Sequence, residues 1–281
     1  MPTYVFCVEQ LFVRNVYLLR YARPAAVWLF LLIGFMAASR LSGATYYNFQ
    51  DYHGNTVSDG VVGKGTLQFS NSLGTVRGNF IKGGGSFMDF LVLFIDSTAG
   101  GFDGTRYFNE SDGSVQTAVS GYYGTKRSVA NFAPGFFADY AIVLGVDNPG
   151  YLYKLVNDGT GPHLELVRSS LNFQNRGVPN APSFSFDFSW ADIGLTNANT
   201  NFFKFESTYI KATGYRTLES FEGLIGSVGY STITFTNYDT YGVPPVPECA
   251  DVALAIFGGI LVVAGLGTRA RRRKISWENS G

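Results

Sequence analysis

Cysteine, histidine and charge are what this sequence has least of, and each shortage closes off a class of function. The two cysteines, Cys7 and Cys249, stand near the ends of the 281 residues. The stretch between them can form no internal disulfide and must hold together by its core alone. The two histidines, His53 and His163, lie far apart, each beside a turn residue, Gly54 or Pro162. A zinc site or a nucleophile–histidine pair needs a partner at matching spacing, and none is visible, so both read as surface-loop residues. Charged residues are only 15% of the chain, against about 25% in an average soluble domain. The 21 basic and 21 acidic residues balance, but unevenly along the chain. Nine of the basic ones (Arg14, Arg20, Arg23, Arg40, Arg269, Arg271, Arg272, Arg273 and Lys274) lie towards the ends, with Glu9, Glu248, Asp251 and Glu278. Residues 45–245 keep 12 basic and 17 acidic groups, the wrong sign for a phosphate backbone, so no nucleic-acid partner is expected. The glycine run Gly83-Gly84-Gly85 is not followed by Lys-Ser/Thr at phosphate-loop spacing, which removes that reading too.

Aromatic residues and glycine are plentiful: 17 Tyr, 25 Phe and 34 Gly. From Ser183 to Trp190 polar and aromatic residues alternate without a break. That period places Phe184, Phe186, Phe188 and Trp190 on one face of a strand, and the serines and Asp187 on the other. Residues 90–95 and 140–146 are unbroken apolar runs of strand length, which predicts burial on both faces. Further strands are expected at 67–70, 76–82, 151–157, 164–169, 201–212 and 232–236, divided by turn sequences such as Asp112-Gly113, Asn148-Pro149-Gly150 and Asp158-Gly159. Only 191–195 reads as a helical turn. Many short strands with regular turns predict an all-β fold, an antiparallel β-sandwich of jelly-roll type, filling one domain over residues 45–243.

The ends have a different grammar. Arg14, Arg20 and Arg23 precede an apolar stretch at 25–38, and Ser42-Gly43-Ala44 offers the small residues that a signal peptidase reads. Residues 1–44 are therefore expected to be a signal peptide cleaved after Ala44, with an uncleaved anchor as the alternative. Leu41-Ser42-Gly43 is followed by Ala44 and not by Cys, which argues against a lipoprotein. At the other end, residues 244–281 hold Val246-Pro247-Glu248, an apolar run at 252–267, and then Arg269, Arg271, Arg272, Arg273 and Lys274 within 269–274. Sixteen apolar residues make a helix of about 24 Å, slightly short of a hydrocarbon core yet workable with snorkelling flanks. The basic cluster would fix that end in the cytoplasm. This three-part order resembles the PEP-CTERM sorting signal of Gram-negative bacteria, with Cys249 and Asp251 as departures from its usual pattern. The resemblance implies export to the cell envelope or extracellular matrix, a single transmembrane helix in the inner membrane, an exosortase and a signal peptidase as partners, and a setting of exopolysaccharide and biofilm.

A second resemblance covers about 66–238. Phe137-Ala138-Asp139-Tyr140, Phe184-Ser185-Phe186, Ala191-Asp192-Ile193-Gly194-Leu195 and Phe203-Lys204-Phe205 with Tyr209 look like the strand pattern of DOMON-like sandwiches related to type 9 carbohydrate-binding modules. That implies a carbohydrate-contacting domain, although Trp190 is the only body tryptophan available where such modules use a pair. Tyrosine rings stack on sugars while their hydroxyls stay wet; the plainer reading is that aromatics serve as strand formers and core. Tyr209, Tyr215 and Arg216, around the turn at Gly214, are the first candidates for a sugar-binding face. No cofactor is expected, with calcium as the one alternative: Asp96 with Asp103, and Asn109 with Asp112, supply clustered oxygens beside glycines. No catalytic constellation stands out, since a pair such as Asp139 with Glu206 is easily found among 17 acids. A structural or adhesive protein is expected, and a secreted polysaccharide-acting enzyme is the alternative.

Overall fold

The computed structural model describes residues 49–54, 60–72, 74–196 and 201–242. The expected signal peptide, 1–44, and the expected sorting segment, with Val246, Pro247, Glu248, the 252–267 run and the basic cluster from Arg269 to Lys274, lie outside the described residues.

The first strands are β1 (Phe49–His53), β2 (Thr66–Ser72), β3 (Thr75–Ile81) and β4 (Phe90–Asp96). After a short helix, α1 (Ser114–Ser120), come β5 (Tyr122–Tyr123), β6 (Lys126–Arg127), β7 (Val129–Asn131), β8 (Tyr140–Gly145), β9 (Tyr151–Asn157) and β10 (Pro162–Arg168). The last are β11 (Ser183–Ser189), β12 (Phe202–Ile210), β13 (Leu224–Gly226), β14 (Thr232–Phe235) and β15 (Asp239–Gly242). They form a four-stranded sheet, β1-β2-β3-β11, and a six-stranded sheet, β10-β9-β8-β4-β12-β15, with every pair antiparallel. A small sheet, β13-β14-β7, contains the parallel pair β14–β7, and β5 and β6 form a hairpin. The all-β expectation holds. The jelly-roll order does not: β1-β2-β3 and β8-β9-β10 are meanders within one sheet, because tight turns such as the one at Gly74 (φ 90°) keep consecutive strands side by side.

Period-2 alternation builds the first core. Phe184, Phe186 and Phe188 are fully buried on β11, while Ser183, Ser185, Asp187 and Ser189 stay partly exposed on the other side. They pack with Phe69 of β2, Phe203 and Phe205 of β12 and Tyr241 of β15 in a web of edge-to-face and tilted contacts, such as Phe69–Phe205 at 5.3 Å and Phe69–Phe203 at 5.7 Å. Each buried ring contributes about 2–3 kcal/mol of transfer free energy, with an added preference for edge-on geometry. Gly78 lies opposite Phe186, and a Cβ there would come within 2.1 Å of the Phe186 ring. Glycine is thus what lets that ring lie flat on β3.

The unbroken apolar runs explain a further layer. Leu91, Leu93 and Ile95 of β4 face the first core; Phe90, Val92 and Phe94 face a second one. On β8, Ile142 and Leu144 face the first core and Ala141 and Val143 the second. The second core is closed by α1 (Ala118, Val119), β7 (Ala130), β14 (Ile233, Phe235) and the loop residues Phe108, Phe132 and Phe136. The expected two-layer sandwich is therefore a two-sheet core with a third layer over the far face of the six-stranded sheet. Helix α1 was not expected. Its apolar positions Val115, Ala118 and Val119 do follow helical spacing, and Gly121 ends it in the left-handed region (φ 69°).

At the end of β11, Ser189 accepts from the Asp192 amide while Asp192 accepts from the Ser189 amide. This capping box starts a 3-10 turn, Trp190–Ile193, where a helical turn was expected.

Candidate functional site

A shallow cup of about 210 Å³ opens on the outer face of the four-stranded sheet, lined by Arg77, Asn172, Gln174, Ser185, Phe186 and Asp187. The same alternation that sends the β11 phenylalanines inward sends Ser185 and Asp187 outward, and Arg77 is paired directly across from Asp187. One wall is made by the segment after β10, which lies along the edge of β11: the Asp187 amide donates to the Leu171 carbonyl at 2.8 Å, and the Gln174 amide to the Ser185 carbonyl at 2.8 Å. Asn172 adopts the left-handed region (φ 51°), which asparagine tolerates better than most residues. Its Nδ2 donates to both Asp187 carboxylate oxygens, at 2.9 and 3.0 Å. Gln174 is steadied by donating Nε2 to the Asn172 carbonyl at 2.9 Å. Arg168 approaches Asp187 at 4.0 Å but makes its close contact, 2.9 Å, with Asp192. Arg77 is exposed, and its guanidinium has no hydrogen-bond or ion-pair partner among the described residues.

The three sugar-binding candidates are not brought together. Tyr209 is buried in the first core, where its hydroxyl accepts from the Met88 and Asp89 amides, and burial pushes its pKa up to about 12. Arg216 is fully buried on the opposite side of the six-stranded sheet. There Nη2 donates to the Val119 carbonyl in the last turn of α1 at 3.1 Å, and the guanidinium lies 6.0 Å from the centre of the Phe94 ring. Nε and Nη1 find no partner among the described residues, and burial pulls the pKa down to about 9. The physical reason is the turn itself: Gly214 folds the chain back so that residue 216 bridges Ile210, which carries the side chain beneath the sheet. Only Tyr215 of the three stays at the surface. It meets Tyr230 edge-on at 5.7 Å, with Lys211 over the Tyr215 ring and Lys126 over the Tyr230 ring.

The two calcium loops are held by cations. Asp96 receives Lys204 at 3.0 Å and the Phe137 amide at 3.2 Å. Asp103 receives Arg106 at 2.7 Å, and Asn109 accepts from Arg127. Asp112 is exposed just before α1. Among the described residues no group of three or more His, Cys, Asp or Glu converges as a metal site. Asp139 and Glu206 are braced by different loops. Asp139 accepts from the Ser97 and Thr98 amides at 3.0 and 2.8 Å, and Glu206 from the Ala133 amide at 2.9 Å. Burial pushes Glu206 up to about 9 and Glu222 up to about 8. Glu222 has a structural task, accepting the Ser207 amide and hydroxyl at 2.7 Å each where β12 runs beyond β15.

No family model, characterised protein or solved structure matches the chain.

Proposed function

We propose that this is an exported protein of the cell envelope or extracellular matrix, led out by residues 1–44 and sorted at its C-terminus by an exosortase-type system. Its body is a structural or adhesive module that contacts exopolysaccharide. The observation that carries this reading is the order of the tail: Val246-Pro247-Glu248, the apolar run 252–267, of a length that would suit a single membrane-spanning helix, and the five cations from Arg269 to Lys274. The half-buried Tyr215 and the exposed Tyr230 beside it, flanked by Lys126 and Lys211, support a carbohydrate contact, since tyrosine rings can stack on sugars.

The test is an immunoblot of fractionated cells carrying chains with the five cations neutralised, or with Pro247 and Glu248 replaced by Ala. The first change is expected to disturb membrane orientation and the second to block processing. Wild-type mass and compartment in both would overturn the sorting reading.

A further inference from the structure

The cup on the four-stranded sheet makes two demands that few ligands meet together. Arg77 presents a guanidinium with no partner among the described residues, and its planar fork suits a carboxylate. Directly across the β3–β11 pairing, the Asp187 carboxylate is held in place by Asn172, and Ser185 and Gln174 also line the cup. Asp187 can only accept, so a group resting on it must donate. An inorganic phosphate or a second carboxylate would satisfy Arg77 and be repelled by Asp187. A neutral sugar would satisfy Asp187 and leave Arg77 idle. No aromatic face lines the cup, because the Phe186 ring is buried on the inner side of β11. Recognition there must come from charge-assisted and neutral hydrogen bonds.

The geometry points to a carboxylated sugar as the ligand of this cup: a uronic-acid residue whose carboxylate takes Arg77 and whose ring hydroxyls donate to Asp187. This rests on the reading of the body as a carbohydrate-contacting module and names the sugar it selects. Along a polymer such contacts repeat, so weak single-residue binding adds up through multivalency.

The experiment is calorimetric titration of the full chain, purified in detergent, with tri-galacturonate, neutral tri-galactose and acetate. Tri-galacturonate is expected to bind saturably, with the neutral trisaccharide and acetate each at least about tenfold weaker. Arg77→Ala is expected to erase the preference for the acidic sugar, and Arg77→Lys to restore only part of it, because the charge returns without the fork. Asp187→Asn is expected to weaken the trisaccharide. Arg77 is exposed, so an unchanged unfolding midpoint verifies that each variant is folded. Equal affinity for acidic and neutral sugars, no trisaccharide binding, or an Arg77→Ala chain that binds like wild type would each overturn the inference. Tyr215→Ala and Tyr230→Ala separate the two levels: if they abolish binding while Arg77→Ala does nothing, the cup is the wrong site and the carbohydrate reading stands.

Discussion

The two cores on either side of the six-stranded sheet are built from different materials. Between the two large sheets the packing is aromatic and almost wholly apolar, with Phe69, Phe80, Phe184, Phe186, Phe188, Phe203 and Phe205 all essentially inaccessible. Under the third layer the same sheet presents Phe90, Val92 and Phe94, but beside them lie Glu206, Thr208 and Arg216, each fully buried. One Glu206 oxygen, the Thr208 hydroxyl and two Arg216 nitrogens have no partner among the described residues. Shape complementarity governs the first core, whereas the second also carries desolvated polar groups, each worth about 1–3 kcal/mol against folding when left unsatisfied. The first core should therefore respond to changes of volume and the second to changes of charge.

The largest expected effect is in the first core. Phe186→Ala removes a ring seated on Gly78 and leaves a cavity between well-fixed neighbours, so it should lower stability by about 3–5 kcal/mol. Ser185→Ala, one residue away on the outer face, should stay within about 0.5 kcal/mol. Denaturant melts read both directly. Equal midpoint shifts would break the comparison at its root, since one face of β11 would then not be more buried than the other.

The second core should reveal itself through pH. Burial raises the Glu206 pKa in the folded chain to about 9, from an ordinary value near 4.5. Below about 4.5 the carboxyl is protonated in both folded and unfolded states, and its burial costs least. As pH rises through the window up to about 9 the unfolded chain ionises first, so stability falls. Glu222, which lies with Ser207 on the first-core face of β12, adds the same trend up to about 8, so the Glu206 variant is what isolates the second core. The unfolding midpoint should thus be higher at pH 5.5 than at pH 8.5, and Glu206→Gln should flatten the dependence. Arg216→Met, which replaces a buried cation with no counter-ion among the described residues by an apolar chain of similar length, should raise stability by about 1–3 kcal/mol at neutral pH. A pH-independent midpoint together with a destabilised Arg216→Met chain would show that these groups are better solvated than their burial implies.

What could be read from the residues follows the same division. The β11 alternation is legible because one aromatic face and one polar face impose a period of two, and that pattern alone turns Ser185 and Asp187 outward. The runs of β4 and β8 are legible as doubly buried, yet the covering layer is not, because it is made of a seven-residue helix, strands of three or four residues and loops, too short to carry a periodic signal. Arg216 is misread because residue type favours exposure for arginine, while its burial comes from the chain reversal at Gly214. The cup is out of reach for another reason. Arg77 and Asp187 meet only through the pairing of β3 with β11, strands far apart in sequence, and Asn172 joins them only through the strap along β11, so the arrangement leaves no local trace.

The smallest effects belong outside both cores, at the end of β4 and in the loop that follows it, where two aspartates differ in burial. The Asp96 side chain is only 12% exposed and holds Lys204 together with the Phe137 amide, and Lys204 also donates to the Gly135 carbonyl at 2.7 Å. Asp96→Asn leaves that ammonium without its counter-ion and should cost about 1–2 kcal/mol. Asp103 is 49% exposed and pairs with Arg106 in an i,i+3 arrangement. Hydrogen bonding from Arg106 lowers the Asp103 pKa, but water and salt screen such a pair, so Asp103→Asn should cost no more than about 0.5 kcal/mol. Thermal melts of the two variants, run with and without millimolar calcium, decide two matters together. If calcium raises the wild-type midpoint and Asp103→Asn removes the increment, the Arg106 pair yields to a cation, and this loop is a metal site and not a surface ion pair. A midpoint indifferent to calcium, with Asp96→Asn the costlier change, would confine the electrostatics of this loop to its own lysine and arginine.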